Sequence, residues 1–251
     1  MRANRNAGTF KTDIPGGGRN FALRCAAFAG GVVINSFGIA FITKAALGTS
    51  PISSLPYVLS LYFPLSLGEF TFIMNVLFIA AQFALLGRRI NPVQLLQMAV
   101  NLLFSAAIDV SMSMLSWLSP EGWPARCVSL LAGCVILAFG VALEVAPGVL
   151  AVPGEGIVSA LSQRTGVRFG SMKVIFDVSL MVSAAVLSLM LFGRLNGVGL
   201  GTVVSALLVG RFVNLFNRYL KPLSYYLKPL SYLRGLRPAP EGEGAAGERA
   251  A

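Results

Sequence analysis

Histidine is absent from this 251-residue chain, and only 12% of its residues are charged. Without histidine there is no Ser-His triad and no histidine-held metal. A soluble domain carries about 25% charged residues, so half of the usual charge is missing. Cysteine is scarce as well. Cys25, Cys127 and Cys134 all lie inside apolar runs, which implies neither a disulfide framework nor a metal pattern. The paired aspartates of an intramembrane protease are formally available in Asp109 and Asp177, but neither sits in a GxGD setting. The chain is therefore not expected to be an enzyme, and no cofactor or metal is expected.

What the chain has in abundance is hydrophobic residues, 55% of the total, in runs long enough to cross a bilayer. Six runs qualify: about 21–46, 69–87, 93–118, 124–146, 171–193 and 198–218. Two shorter segments, 50–63 and 154–165, have the length of re-entrant or half-membrane helices. The first run is too long for a cleaved signal segment and reads as a retained span. The expected fold is an all-α polytopic membrane protein of six transmembrane helices plus two short re-entrant or half helices.

The net charge of +10 could suggest nucleic acid, but Lys and Arg gather at the ends and in short loops. That distribution suits membrane topology and anionic lipid headgroups. With six spans, one side holds the N-terminal arm (Arg2, Arg5, Lys11, Arg19, Arg24), Arg88 with Arg89, the Arg164/Arg168/Lys173 group and the basic C-terminus. The other side holds only Lys44, Arg126 and Arg194. The asymmetry places both termini in the cytoplasm.

The chain also resembles itself. A shift of 102 residues aligns Arg24-Cys25 with Arg126-Cys127, Gly31 with Gly133, Phe37-Gly38 with Phe139-Gly140, and Pro51 with Pro153. Beyond a small gap a shift of 105 pairs Asn91 with Asn196 and Val93 with Val198. Each half, 21–118 and 119–218, then holds three spans and one short segment. An odd number of crossings sends the second half through the membrane from the opposite side, a 3+3 inverted repeat of the kind found in secondary transporters. The alternative is that both short segments are ordinary loops with interfacial helices.

The candidate substrate-binding residues follow from those breaks. Pro51 and Pro153 free backbone groups that need partners within protein or around water. Ser50 and Ser53 suit that task and a polar ligand. Gly154 leaves bare backbone at a helix start, which attracts anions, whereas Glu155 beside it would repel one and also reads as a hydrated interfacial acid. Asp109, inside the third span with Asn101 two turns earlier, serves either as a coupling acid or as an ion-pair partner of Arg211. Asp177 reads as an i−4 ion pair with Lys173. Under the repeat Asn75 corresponds to Asp177 and Asn214 to Asp109.

Outside the core, residues 1–20 are expected to form a disordered basic arm. The tandem heptad "LKPLSYYLKPLSYL" (220–233) interleaves Lys and Tyr as the headgroup layer favours, and a disordered end follows it.

The stretches "INSFGIAFITKAALGTSPISSLPYVLS", "PGEG", "VIFDVSL" and "GTVVSALLVGRFV" resemble the YczE-like group of bacterial integral membrane proteins, allied with the YyaS and YitT names. The resemblance covers about 21–218, and "LGTSPIS" and "PGEG" are its most specific elements. It implies a multi-pass inner-membrane protein of undefined activity. Some members are labelled transporters, without an agreed set of substrate residues. The element "GVGLGT" (197–202) departs from the pattern in lacking charge where a polar loop is expected. The functional expectation is a small secondary transporter of a small polar solute. The alternatives are a substrate-binding membrane subunit of an ATP-energised importer and a non-transporting scaffold or lipid-interacting protein. The expected partners are the lipid bilayer, anionic headgroups at the tail, a small-molecule substrate and, at most, a second copy of the chain as a homodimer. Nucleic acid is not among them.

Overall fold

Long uncharged runs fold as helices because a backbone in hydrocarbon must satisfy its own hydrogen bonds. The computed structural model describes residues 18–87, 96–148, 150 and 152–220, and within them it contains eight α-helices and no strand. They are α1 (Gly18–Lys44), α2 (Pro51–Tyr62), α3 (Leu67–Leu86), α4 (Leu96–Met114), α5 (Gly122–Val145), α6 (Pro153–Thr165), α7 (Phe169–Phe192) and α8 (Leu200–Tyr219). Six of these, all but α2 and α6, are long and apolar enough to cross a membrane. Residues 1–17 of the N-terminal arm, Arg88 and Arg89, and the tail beyond Leu220 lie outside the described residues, whereas residues 18–20, expected within the disordered arm, form the first turn of α1.

The boundaries have local causes. α1 stops where Ala46 and Gly48 take positive φ (56° and 122°). α2 and α6 each begin with proline in the first turn, where the missing N–H costs nothing. α3 opens on a capping box: Ser66 accepts from the Glu69 N–H at 3.0 Å, and Glu69 accepts from the Ser66 N–H at 2.7 Å. α6 and α7 end on left-handed Gly166 and Gly193. The third span is shorter than its 93–118 expectation. After Met114 the chain tightens into turns, with Ser116 N bonding Ser113 O and Leu118 N bonding Leu115 O, ahead of Pro120; residues 93–95 are outside the described set.

The centre of the molecule is the crossing of α1 and α5, the most extensive helix contact. A Cβ added at Gly31 would lie 2.5 Å from the backbone nitrogen of Glu144, and one at Gly133 would lie 2.8 Å from that of Ile42. Between these points a Cβ at Gly38 would strike the Leu137 backbone, and one at Gly140 the Asn35 backbone. Partners descend along α5 as residues ascend α1, so the two helices are antiparallel. Small residues at i and i+7 on each helix bring the backbones this close, as in other membrane interfaces.

Around the crossing, α4 lies on α1 and α8 on α5; α2 packs against α7 and α6 against α3; α2 also meets α3 and α6 meets α7. The match is incomplete, since α3 packs along α4 but α7 and α8 make no comparable contact. Two polar ties lie inside the bundle. Asn35 Nδ2 donates to Glu144 Oε2 at 2.9 Å across α1 and α5. Asn75 Nδ2 donates to Asn101 Oδ1 at 2.8 Å, and Asn101 Nδ2 to the Phe72 carbonyl at 3.1 Å, across α3 and α4.

Candidate functional site

The bend between α1 and α2 exposes backbone that helices would otherwise satisfy, and the protein supplies the partners. Gly201 N–H donates to the Leu47 carbonyl at 2.8 Å, Thr49 N–H to Thr202 Oγ1 at 3.2 Å, and Ser205 Oγ to the Thr49 carbonyl at 3.2 Å. The Thr43 and Thr49 hydroxyls bond each other at 2.8 Å. The uncharged "GVGLGT" element now has a physical reason. A Cβ at Gly201 would sit 2.7 Å from the Leu47 carbonyl oxygen, so the start of α8 must stay bare to receive the bend.

The serines that follow are buried and already engaged. Ser50 Oγ donates to Ser53 Oγ at 2.9 Å, and Ser54 Oγ donates to the Pro51 carbonyl at 2.6 Å. Pro56, inside α2, lacks the N–H that would meet the Ile52 carbonyl one turn earlier. The start of α6 lies directly across: a Cβ on Gly154 would strike the side chain of Ile52. Gln82 of α3 holds this second start, with Nε2 donating to the Pro153 carbonyl at 3.2 Å. Its Oε1 is buried, has no partner among the described residues, and lies against Gly156. Ser50, Pro51, Ser53 and Gly154 are thus gathered where two short helices begin. Half-buried Glu155 follows in the first turn of α6, within electrostatic reach of Lys173, Asp177 and Glu144.

Asp109 stands elsewhere. Its Oδ1 accepts the Gly68 N–H at 2.8 Å and its Oδ2 accepts Ser66 Oγ at 2.6 Å, so it caps the start of α3. It does not pair with Arg211; the single ion pair among the described residues joins Lys173 and Asp177 at 2.7 Å, as their i,i+4 spacing implies. Asp109 faces a recess of about 640 Å³ whose wall also carries Lys44, Tyr57, Ser66, Glu69 and Ser113. Tyr57 belongs to the second half of α2, so that helix links the recess to the paired helix starts. Its twelve residues span about 18 Å.

Several of these features are invisible to sequence reasoning. Lys44 counts there only as a charge that sets topology, and Glu144 only as an acid near a span end. In the structure Glu144 is 3% exposed and bonded to Asn35. No sequence signal places Glu144 opposite Gly31, since that contact joins helices distant in the chain.

The family of unknown function DUF6198 matches residues 22–218, and the chain belongs to it. The uncharacterised membrane protein YczE of Bacillus subtilis (strain 168) is 26% identical over 193 residues, which cover 76% of this chain and 84% of that protein. No solved structure matches. The chain is accordingly a YczE-like multi-pass membrane protein.

Proposed function

We propose that this chain is a small secondary transporter that moves a small polar solute by alternating access between two inverted halves, 21–118 and 119–218. The observation that carries the reading is the α1–α5 register. Under the shift of 102, the Gly31–Glu144 contact becomes Gly133–Ile42, and Gly38–Leu137 becomes Gly140–Asn35. Each contact is the image of the other, as a two-fold axis through the crossing requires. Ile52 and Gly154 are themselves equivalent under the shift, and they touch. Equivalent residues meet only close to such an axis.

Because the equivalent helices α1 and α5 are antiparallel, the axis lies in the membrane plane and the halves have opposite orientation. α2 and α6 then start near the midplane as half helices and run towards opposite faces. Each packs on a long helix of the other half, α7 and α3 respectively. The excess of Lys and Arg puts both termini in the cytoplasm and the Lys44 end of α1 towards the outer face. Ser50, Pro51, Ser53, Gly154 and Glu155 flank the central site, and Asp109 serves the outer recess.

Proteoliposomes loaded with a labelled extract of small metabolites test the reading. The purified chain should exchange at least one polar solute without nucleotide, and Glu155→Gln with Ser53→Ala should slow the exchange. Absence of any exchange by folded protein would refute transport, and exchange only with a co-purified ATPase would favour an importer subunit. Reporter fusions at each terminus check the orientation.

A further inference from the structure

The recess beside Asp109 holds three charged side chains, and their engagements differ. Glu69 is occupied by the Ser66 N–H, and Asp109 by Ser66 Oγ and the Gly68 N–H. Lys44 makes no hydrogen bond and no ion pair among the described residues, although an ammonium carries three donors. Its depth makes that notable. The α1–α5 contacts centre between Ser36 and Phe37, and Lys44 lies about 11 Å further along α1 at 1.5 Å per residue. With that centre at the midplane, as the inverted arrangement requires, Lys44 falls within the outer half of about 30 Å of hydrocarbon. A charge at such depth faces a partner or a water-filled space and marks a solute path. The described residues supply no partner, and Lys44 lines a recess of about 640 Å³.

The lining limits what can bind. A plain anion would meet Lys44 but also the carboxylates of Asp109 and Glu69 on the same wall. A plain cation would suit the carboxylates and leave Lys44 bare. A molecule with a carboxylate at one end and an ammonium at the other satisfies both, since each engaged carboxylate keeps acceptor capacity. Tyr57, Leu61, Leu65 and Met112 add apolar wall between the charges. We propose that this recess is a binding site for a zwitterion of the α-amino-acid class, with its carboxylate on Lys44 and its ammonium towards Asp109 and Glu69. The depth of the site and its place on a solute path rest on the transporter reading; the complementarity of the lining does not.

The test is binding by the purified full-length protein in detergent, read as a ligand-dependent rise in the unfolding midpoint. The probes are the twenty standard amino acids one at a time, acetate and methylamine, all at one concentration. At least one amino acid should raise the midpoint, with acetate and methylamine each at least tenfold weaker in half-saturating concentration. Lys44→Met should weaken that amino acid at least tenfold, Lys44→Arg should largely retain it, and Lys173→Met, at the far end of the bundle, should leave it unchanged. No rise with any amino acid would overturn the proposal. So would acetate or methylamine matching the best amino acid, or undiminished binding in Lys44→Met. If Lys44→Met does not fold, Asp109→Asn should weaken the best amino acid while Lys44→Arg retains it; undiminished binding in Asp109→Asn, or loss in Lys44→Arg, would overturn the assignment of the ends. Lys44-dependent binding without exchange in proteoliposomes would sink the transporter reading and leave the site standing; exchange without that binding would do the reverse.

Discussion

Neighbouring glycines in α1 should respond to alanine with opposite sign. Gly31 sits in the α1–α5 contact, where an added Cβ would lie 2.5 Å from Glu144 N, 2.8 Å from its Cα and 3.0 Å from its Cβ. Gly30, one residue earlier, has nothing within 4 Å of the same position. Carbon atoms prefer to approach no closer than about 3.5 Å, so Gly31→Ala must push the helices apart by about 1 Å. Backbone atoms cannot rotate aside, which puts the penalty in the upper part of the 1–3 kcal/mol range typical of overpacking. Alanine also favours a helix over glycine by about 0.8–1.0 kcal/mol. The net expectation is a loss of about 1–2 kcal/mol for Gly31→Ala and a gain of up to about 1 kcal/mol for Gly30→Ala. At roughly 2–4 °C per kcal/mol for a chain of this size, the unfolding midpoints of the two variants in one detergent should differ by several degrees. Equal midpoints would refute the close backbone approach, and with it the register on which the inverted arrangement depends.

Asp109→Ala removes both acceptors at the start of α3 and should cost about 1–2 kcal/mol; Asp109→Asn keeps one oxygen and should fall between, as thermal midpoints will show. Near-native midpoints for Asp109→Ala would exclude the capping role. At Glu144, replacement by alanine strands a buried Asn35 amide and should cost about 1–3 kcal/mol, whereas Glu144→Gln offers an oxygen in the same place and should retain most of the stability. If the two variants unfold together, the Asn35 hydrogen bond contributes nothing.

The spans were legible because hydrocarbon imposes length and low charge on any helix that crosses it, so each expected boundary falls within a few residues of a helix end. Pro51 and Pro153 announced the short helices for an equally local reason: proline fits the first turn. Lys173 and Asp177 declared their pairing through i,i+4 spacing. Contacts between helices distant in sequence were a different matter. Asp109 lies 41 residues from the Gly68 N–H that it accepts, and nothing in either run distinguishes that partner from Arg211. The engaged serines at 50, 53 and 54 and the bare Lys44 likewise depend on which groups the packed bundle leaves over. The self-alignment paired Gly31 with Gly133 and Gly38 with Gly140, but that each faces the other helix's backbone emerges only once α1 and α5 are packed.

If the halves are equivalent as proposed, the departures from symmetry are informative. The counterpart of Gly68 is Gly170, and that of Asp109 is Asn214. Gly68 is latched: its N–H bonds Asp109 Oδ1 at 2.8 Å, and an added Cβ would strike the carboxylate. Gly170 is unlatched, with nothing within 4 Å of the same position, and α7 stands away from α8 while α3 lies along α4. In inverted-repeat transporters the two access states arise by exchanging the conformations of the halves. On that basis the second state should latch Gly170 to Asn214 and release Gly68 from Asp109. In a chain with Cys25, Cys127 and Cys134 replaced by alanine, Gly170→Cys with Asn214→Cys should form a disulfide during solute exchange, since its Cα atoms would come within about 7 Å. The bond should arrest exchange, and reduction should restore it. A 170/214 pair that never crosslinks while a 68/109 pair does so completely would mean that the asymmetry is fixed, and the two halves would then not be the moving parts of a transporter.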